Sequence, residues 1–473
     1  MSLHKNEVKE PSGLSDSNLS NKKTLNITKH IVFFALPIIL GNLLQQFYQI
    51  FASIVVGRTC GENSLAALGV ATPIVSLTLF FMIGIGYGLT VLLSKYFGEN
   101  NLIKFREIAF TARRAGIIFS IIFAILAILL TGTILSITKT PEVIEAETRY
   151  YLWIIFLGIP FSFMYNYFSA TFLSIGRSKL PFCALCVSSG VNVALVLLLV
   201  GFLGKGIIGA AIANVAAQGS SVLFCVLYTR YRIPLLVLRT ESSAKTDADW
   251  QAHPLRFHSD YIKEIVAYSI ASAIQQIIFI IGRLIIQSDV NTLGVSVIAG
   301  YNAAANLESL VIAPADGISA ALASLIAVEY GKKHLDGIKN IARGGAKLCV
   351  TYSVLLALSL WFLSPYLVPL FLKYSSPLMV STGVTYLRWM FFAYSIISIP
   401  EVFQAFFRGT GQVKITIIAT IIQIAMRVAC TKFLLGLIGI KAVSLSTFFG
   451  WLLMGIYLFI TSRKWMKSLS ERG

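Results

Sequence analysis

Charged side chains are scarce in this 473-residue sequence, where they make up 13% of the total. A soluble protein carries roughly 25% charged residues, and the deficit here accompanies a 56% share of hydrophobic residues. Many apolar runs of about 20 residues or more predict a helical protein that crosses a membrane repeatedly. The short alternating segments that are typical of a transmembrane barrel are absent from the sequence.

The sequence also lacks the signatures of several kinds of chemistry. It has no GxxxxGK[ST] motif for binding ATP, and its five histidines lie in the N-terminal tail or in loops. Five of the six cysteines fall in apolar runs, where a role as a small buried residue is expected. We therefore expect neither an enzyme nor a metal site, and no cofactor.

The net charge of +18 does not indicate a nucleic-acid partner, because the basic residues are spread over the loops between apolar runs. With the N-terminus placed in the cytoplasm, most lysines and arginines fall on the cytoplasmic side, as the positive-inside rule requires. We expect a multi-pass protein of the plasma membrane with both termini cytoplasmic. A monomer in contact with membrane lipid is the expected state.

The apolar runs predict twelve transmembrane helices. Six lie in the first half of the chain, at Ile31–Gly57, Leu65–Ser94, Ala115–Thr138, Tyr150–Gly176, Leu180–Gly204 and Gly206–Thr229. Six follow in the second half, at about Ile265–Ser288, Gly294–Val328, Leu348–Leu372, Gly383–Arg408, Ile415–Leu435 and Ala442–Ser462. The implied divisions are a tail (1–30), an N-lobe (31–238), a cytoplasmic connector (239–262), a C-lobe (263–462) and a second cytoplasmic tail (463–473).

The two halves repeat each other weakly but at a nearly constant offset along the chain. Gly84-Ile85 matches Gly317-Ile318, and Gly176 matches Gly411 at almost the same separation. Each half begins on the same side and has six spans, so the repeat is parallel, about an axis along the membrane normal. Transporters built in this way place the substrate site between the halves and alternate access by rocking them.

Several short motifs resemble the multidrug and toxic compound extrusion (MATE) family, over about residues 31–462. The motifs are Leu36-Pro37, Val56-Gly57-Arg58, Leu65 to Gly69, Ser174 to Pro181, Ala299 to Glu308 and Arg408 to Gly411. The resemblance implies an all-α membrane protein of two pseudo-symmetric six-helix lobes around a central V-shaped cavity. It also implies export of organic, often cationic, compounds against an inward flow of protons or sodium ions.

One departure from the family concerns the N-lobe. Many relatives carry acidic residues at the positions of Ala52 and Val196, so the N-lobe carboxylates that bind the coupling ion there are missing from this chain. Two other functions therefore stay open: a flippase for lipid-linked precursors, and a transport-inactive sensor or scaffold descended from an exporter. The flippase should show a cationic cavity, yet the first six spans contain no lysine or arginine.

Carboxylates inside a membrane are costly and mostly functional, and here only the second half has them. They are Glu308, Asp316 and Glu401, which we interpret as ion-coupling residues together with Asn306. Protons are favoured over sodium as the coupling ion, because these acids have few oxygen-rich neighbours in sequence. The opposing interpretation is a purely structural set of ion pairs with Arg283, Arg388 and Arg427.

Polar and aromatic side chains in the spans predict the wall of the substrate cavity, since rings and amides suit flat organic cations. Hydrogen bonding between spans is the alternative role of these residues. The candidates are Gln45, Gln46, Tyr48, Gln49, Tyr165, Asn166, Asn192, Gln275 and Gln276.

Overall fold

This computed structural model of the chain describes residues 20–236, 255, 257–372 and 376–470, which form helices and turns with no β-strand. The helices of the N-lobe are α1 (Ser20–Thr59), α2 (Gly61–Gly98), α3 (Leu102–Ile137), α4 (Glu142–Leu157), α5 (Ile159–Ser174), α6 (Lys179–Val196) and α7 (Gly206–Arg232). Those of the C-lobe are α8 (Ser259–Val290), α9 (Val295–Gly331), α10 (Leu335–Leu367), α11 (Pro377–Ile396), α12 (Ser398–Gly409), α13 (Val413–Ile438) and α14 (Lys441–Ser470).

The helices confirm the predicted all-α membrane architecture. In the described part of the chain, eleven helical segments are long and apolar enough to cross a membrane. One of them combines α4 and α5, and the bent pair α11 and α12, at 49° to each other, supplies a twelfth span. Each lobe therefore has six spans, and the fourth span of each lobe is interrupted.

Several helices begin earlier than their apolar runs, and two of them begin inside a segment predicted to be a tail or connector. Helix α1 starts at Ser20, inside the predicted tail, and α8 starts at Ser259, inside the predicted connector. The rest of both segments, residues 1–19, 237–254 and 256, lies outside the described residues. Hydropathy detects only the part of a helix that is buried in lipid, whereas backbone hydrogen bonds continue the helix through polar residues beyond it.

The internal repeat is visible in matching turns of the two lobes. Gly176 follows α5 and Gly411 follows α12, and their φ angles are +77° and +76°. Both turns therefore use the left-handed conformation that glycine adopts without steric cost. These are the two glycines that the sequence repeat pairs with each other.

Glycines on α2 and α9 bring the lobes into close contact in two symmetric pairs. A Cβ atom at Gly98 would lie 2.1 Å from the Val328 carbonyl oxygen, and one at Gly331 would lie 2.1 Å from the Lys95 carbonyl oxygen. The sequence repeat relates Gly98 to Gly331 and Lys95 to Val328, so the two contacts are symmetric equivalents. A second symmetric pair of close contacts lies one layer further into the bundle. It consists of Gly84 against Ala273 and Gly317 against Ile39.

The two lobes share hydrophobic cores only near the face where α1 begins, which we call the N-terminal face. There, Ile31 and Phe34 of α1 pack with Ile318 and Leu322 of α9. Near the opposite face, the C-lobe and the N-lobe have separate cores. The lobes therefore pack together at the N-terminal face and separately toward the opposite face, the arrangement expected of a V-shaped cavity.

Polar contacts reinforce the closure at the N-terminal face. Glu264 of α8 accepts a hydrogen bond from the Tyr96 hydroxyl at 2.8 Å and lies 3.7 Å from the Lys95 amine. Deeper between the lobes, the hydroxyls of Ser94 and Ser324 lie 3.1 Å apart. These bonds join α2 to α8 and α9, so they must break when the lobes separate at this face.

Candidate functional site

The three carboxylates predicted within the spans occupy two separate places. Asp316 on α9 and Glu401 on α12 lie together near the contact between the lobes. Glu308 lies about two turns before Asp316 on α9, inside the C-lobe. No described residue forms a salt bridge with any of the three.

Asp316 and Glu401 share their surroundings with one arginine and one serine. Both carboxylates interact with the Arg408 guanidinium, and Glu401 also interacts with the Ser319 hydroxyl. Arg408 donates a hydrogen bond of 2.7 Å from Nη2 to Ser319 Oγ. We call Asp316, Ser319, Glu401 and Arg408 the acid cluster.

Helical geometry explains how α9 and α12 form this cluster. Asp316 and Ser319 are three residues apart on α9, and Glu401 and Arg408 are seven apart on α12, so each pair lies on one helix face. The bend between α11 and α12 precedes Glu401 directly and places it in the first turn of α12. A carboxylate is favoured at that end of a helix by the helix dipole.

The N-lobe contributes a tyrosine to the same place. The Tyr87 ring of α2 lies 5.8 Å from the Arg408 guanidinium carbon, near enough for the charges of Asp316 and Glu401 to act on its hydroxyl. The surface of Asp316 is exposed although α9 is the most deeply buried of the candidate spans. Its carboxylate therefore faces the cavity between the lobes.

The formal charges of the acid cluster do not balance. With both carboxylates ionised, Asp316 and Glu401 carry two negative charges within the cluster, against the single positive charge of Arg408; Arg283 acts on Asp316 from outside the cluster. Glu401 and Arg408 are only partly exposed, and an unbalanced charge costs more there than in bulk water. Uptake of one monovalent cation, a proton or a sodium ion, would make the cluster neutral.

Glu308 lies in a different environment, among tyrosines. The Tyr386 hydroxyl donates a hydrogen bond of 2.8 Å to Glu308 Oε2. Tyr394 also interacts with Glu308 and with Arg427. Asn306, predicted to act with Glu308, is exposed. Two residues correspond to about 200° around a helix, so the two side chains point in different directions.

The opposing interpretation paired these acids with three arginines of the spans, and none of the three forms a described salt bridge with them. Arg388 is exposed, donates from Nε to the Trp361 carbonyl oxygen at 3.4 Å and lies over the Trp361 ring. Arg427 is buried near Tyr386 and Glu308, away from Glu401, which interacts with Arg408 instead. Among the described residues, no ion pair within 4 Å joins the three acids to Arg283, Arg388 or Arg427, although Arg283 acts on Asp316 and Arg427 on the tyrosines around Glu308.

Three of the tyrosines converge from different N-lobe helices. Tyr165 of α5 interacts with Tyr48 of α1 and with Tyr87 of α2. Gln45 and Gln49 hydrogen-bond to the Tyr48 hydroxyl. Tyr87 therefore belongs both to this aromatic group and to the acid cluster, and it connects the two.

Apart from Gln275, three of the remaining predicted cavity residues are partly buried, and one is buried. Gln46 and Gln276 are partly buried, and neither makes a described hydrogen bond. Asn166 is partly buried and donates to the Ser162 carbonyl oxygen at 2.9 Å. Asn192 is buried, with no described partner for Oδ1.

Gln275 was predicted to line the cavity, but its side chain lies among helices of the C-lobe. Its side chain is buried and hydrogen-bonds to Gln404 of α12 and to Thr420 of α13, the latter at 3.1 Å. The Thr416 hydroxyl donates to Gln275 Oε1 at 3.4 Å. A buried amide needs such partners because leaving it unsatisfied is costly, so Gln275 joins three helices of the C-lobe and does not line the cavity.

Sequence reasoning missed Tyr87 and Ser319, and it identified Arg408 only as part of a loop motif. Helical spacing from Asp316 and Glu401 could have identified Ser319 and Arg408. Tyr87 comes from the other lobe, and no spacing in the sequence indicates its neighbours.

A family model described as MatE matches residues 37–198 and again residues 271–433. The chain belongs to the MatE family. The double match also confirms the internal repeat, since one model covers corresponding parts of both lobes. Among relatives, the chain is 27% identical to the probable multidrug resistance protein YpnP of Bacillus subtilis (strain 168), over 94% of this chain and 98% of that protein. It is 25% identical to the probable multidrug resistance protein YoeA of the same organism, over 83% of each chain.

A solved structure has the same fold as this MatE-family protein. It is described as the outward-facing conformation of a multidrug resistance MATE family transporter of the MOP superfamily. The TM-score is 0.85 at 18% sequence identity, covering 97% of this chain and all of that one. The predicted MATE resemblance is confirmed, and the protein is a multi-pass membrane transporter.

Proposed function

We propose that this MatE-family protein exports small organic, often cationic, compounds across the plasma membrane in exchange for protons, and that the acid cluster couples the two movements. The observation that carries the proposal is the position of Tyr87. It lies beside Arg408 of the acid cluster in the C-lobe and near the aromatic group of the N-lobe. A change of charge at Asp316 or Glu401 therefore acts directly on the contact between the lobes.

The orientation follows from the distribution of basic residues. We assign the N-terminal face to the cytoplasm because the positive-inside rule favours it. The conformation with the N-terminal face closed is then outward-facing, and its cavity is open to the external solution. Relatives described as probable multidrug resistance proteins support the choice of substrate class.

In the exchange cycle, the negative charge of the cluster binds a proton on one side of the membrane and attracts the organic cation on the other. In the outward-facing state, a proton from outside neutralises Asp316 or Glu401 and weakens the hold on a cationic substrate, which leaves. The neutral cluster is then carried to the inward-facing state by rocking of the lobes. There the proton is released, and the restored charge attracts the next organic cation to the tyrosines beside it.

Arg408 is the reason for preferring protons over sodium. A sodium ion needs several oxygen ligands and is repelled by a neighbouring guanidinium, whereas a proton binds one carboxylate oxygen. A flippase for lipid-linked precursors would need an excess of positive charge for a pyrophosphate head group. The acid cluster has an excess of negative charge instead.

Proton release on substrate binding tests this proposal. We expect a fluorescent organic cation such as ethidium, added to purified protein in weakly buffered detergent solution, to release about one proton per bound cation. Asp316→Asn should reduce that release at least roughly tenfold. Displacement of radioactive sodium without proton release would contradict proton coupling. The absence of both proton release and sodium displacement would contradict coupling at this cluster.

A further inference from the structure

A cavity of about 370 Å³ lies on the N-terminal face, away from the central cavity. Helix α1, the turn between α5 and α6, and the end of α7 form its walls, with His30, Phe33, Arg177, Ser178, Lys179 and Tyr228 among the lining residues. This volume is in the range of cavities that hold small molecules, about 300–1,000 Å³. The proposed transport cycle makes no use of it.

The cavity carries positive charge that the protein does not balance. Arg177 and Lys179 are exposed at its edge. In the part of the chain that the structure describes, neither side chain forms a salt bridge or a hydrogen bond. Two cations so close in sequence, facing one open cavity, favour an anionic ligand.

The start of α6 adds to this preference. Helix α6 begins at Lys179 and runs to Val196, and Ser178 precedes it without making a side-chain cap. The first backbone N–H groups of a helix lack partners within the helix and favour negative charge. The buried Ser178 and the two cations therefore surround one end of a helix dipole.

The repeat provides an internal comparison for this turn. No atom of the described residues lies within 4 Å of a Cβ position on Gly176, whereas a Cβ at Gly411 would lie 2.5 Å from the Tyr268 hydroxyl oxygen. The residue equivalent to Arg177 in the C-lobe is Gln412. The N-lobe turn is thus open and doubly basic, while its C-lobe counterpart is packed against α8 and has only Lys414.

The position of the cavity indicates the source of the anion. Phe33 lines it and is 71% exposed, at the start of the uncharged run of α1. An exposed aromatic ring beside unpaired cations, at the level where an apolar span begins, is typical of a membrane interface. We propose that this cavity binds an anionic phospholipid of the leaflet at the N-terminal face, with its phosphate on Arg177 and Lys179 and an acyl chain over Phe33.

Lipid titration of the purified protein by native mass spectrometry tests the site. The probes are phosphatidylglycerol, phosphatidylcholine and inorganic phosphate. We expect tight binding of phosphatidylglycerol only. The double variant Arg177→Gln/Lys179→Gln should weaken its binding roughly 30-fold, because each basic side chain near an anionic lipid contributes about fivefold. The single variant Arg177→Gln should show about fivefold weakening if the double variant is not monodisperse.

Two further variants separate site binding from general charge effects. Arg343→Gln/Lys414→Gln removes the same charge from exposed positions on the same face and should leave affinity unchanged. Arg177→Lys/Lys179→Arg should also retain affinity. Equal weakening in the Arg343/Lys414 control, unchanged affinity in the Arg177/Lys179 double variant, or equal binding of phosphatidylcholine would overturn the lipid site. Binding of inorganic phosphate with the same dependence on Arg177 and Lys179 would overturn the lipid as its ligand. None of these outcomes depends on transport.

Discussion

Asp316→Asn and Glu401→Gln are each expected to reduce proton-driven efflux at least roughly tenfold while leaving the protein folded. Either change removes one titratable oxygen pair from the acid cluster, so the remaining carboxylate is balanced by Arg408 without a proton. The cluster is then neutral without a bound cation, so uptake of a cation is no longer favoured. The measurement is the initial rate of efflux from proteoliposomes under a fixed proton gradient.

Two control variants give this experiment its specificity. Asp336→Asn changes an acid at the N-terminal surface that is 82% exposed and should keep the normal rate. Glu308→Gln should slow efflux less than the cluster variants do, because an amide oxygen can still accept the hydrogen bond from Tyr386. Loss of transport in Glu308→Gln alone, with normal rates in Asp316→Asn and Glu401→Gln, would place coupling inside the C-lobe instead.

Gly98→Ala is expected to open the N-terminal face. The added methyl group would meet the Val328 carbonyl oxygen at 2.1 Å, so the backbones of α2 and α9 must move apart. Overpacking of this kind costs about 1–3 kcal/mol, which corresponds to roughly a 5- to 150-fold shift in the population of two states. Only the state in which the lobes touch here is penalised.

Labelling of a buried position between the lobes measures that shift. Ser324 is 1% exposed and faces Ser94, so a cysteine in its place should react slowly with a membrane-impermeant maleimide, in a background without the native cysteines. Gly98→Ala should raise the reaction rate at least roughly fivefold. Gly132→Ala is the matched control, because nothing lies within 4 Å of its Cβ position. Equal rates in the two variants would show that this contact does not control closure.

Much of the fold could be predicted from the sequence because the membrane restricts it severely. Only helices satisfy all backbone hydrogen bonds in lipid, so each uncharged run specified one span. The repeat then related the spans in pairs. What hydropathy could not show was structure outside the lipid, such as the start of α1 at Ser20, or the bend that divides the tenth span into α11 and α12.

The candidate site was less predictable, because periodicity shows which residues share a helix face but not which neighbouring helix that face meets. Pairing of Glu401 with Arg427 was one alternative, yet the path of α12 places Glu401 beside Arg408. Gln275 was assigned to the cavity, yet Gln404 and Thr420 offered buried partners within its own lobe. Tyr87 depends on contact between the two lobes, which no local pattern in a single sequence encodes.

The measurement that tests the central proposal most directly is efflux of a fluorescent organic cation from proteoliposomes that contain the wild-type protein. It is driven in turn by a proton gradient, by a sodium gradient, and by neither. We predict efflux under the proton gradient and none under the other two conditions. Efflux under the sodium gradient alone, or efflux of equal rate without any gradient, would contradict a proton-coupled exporter.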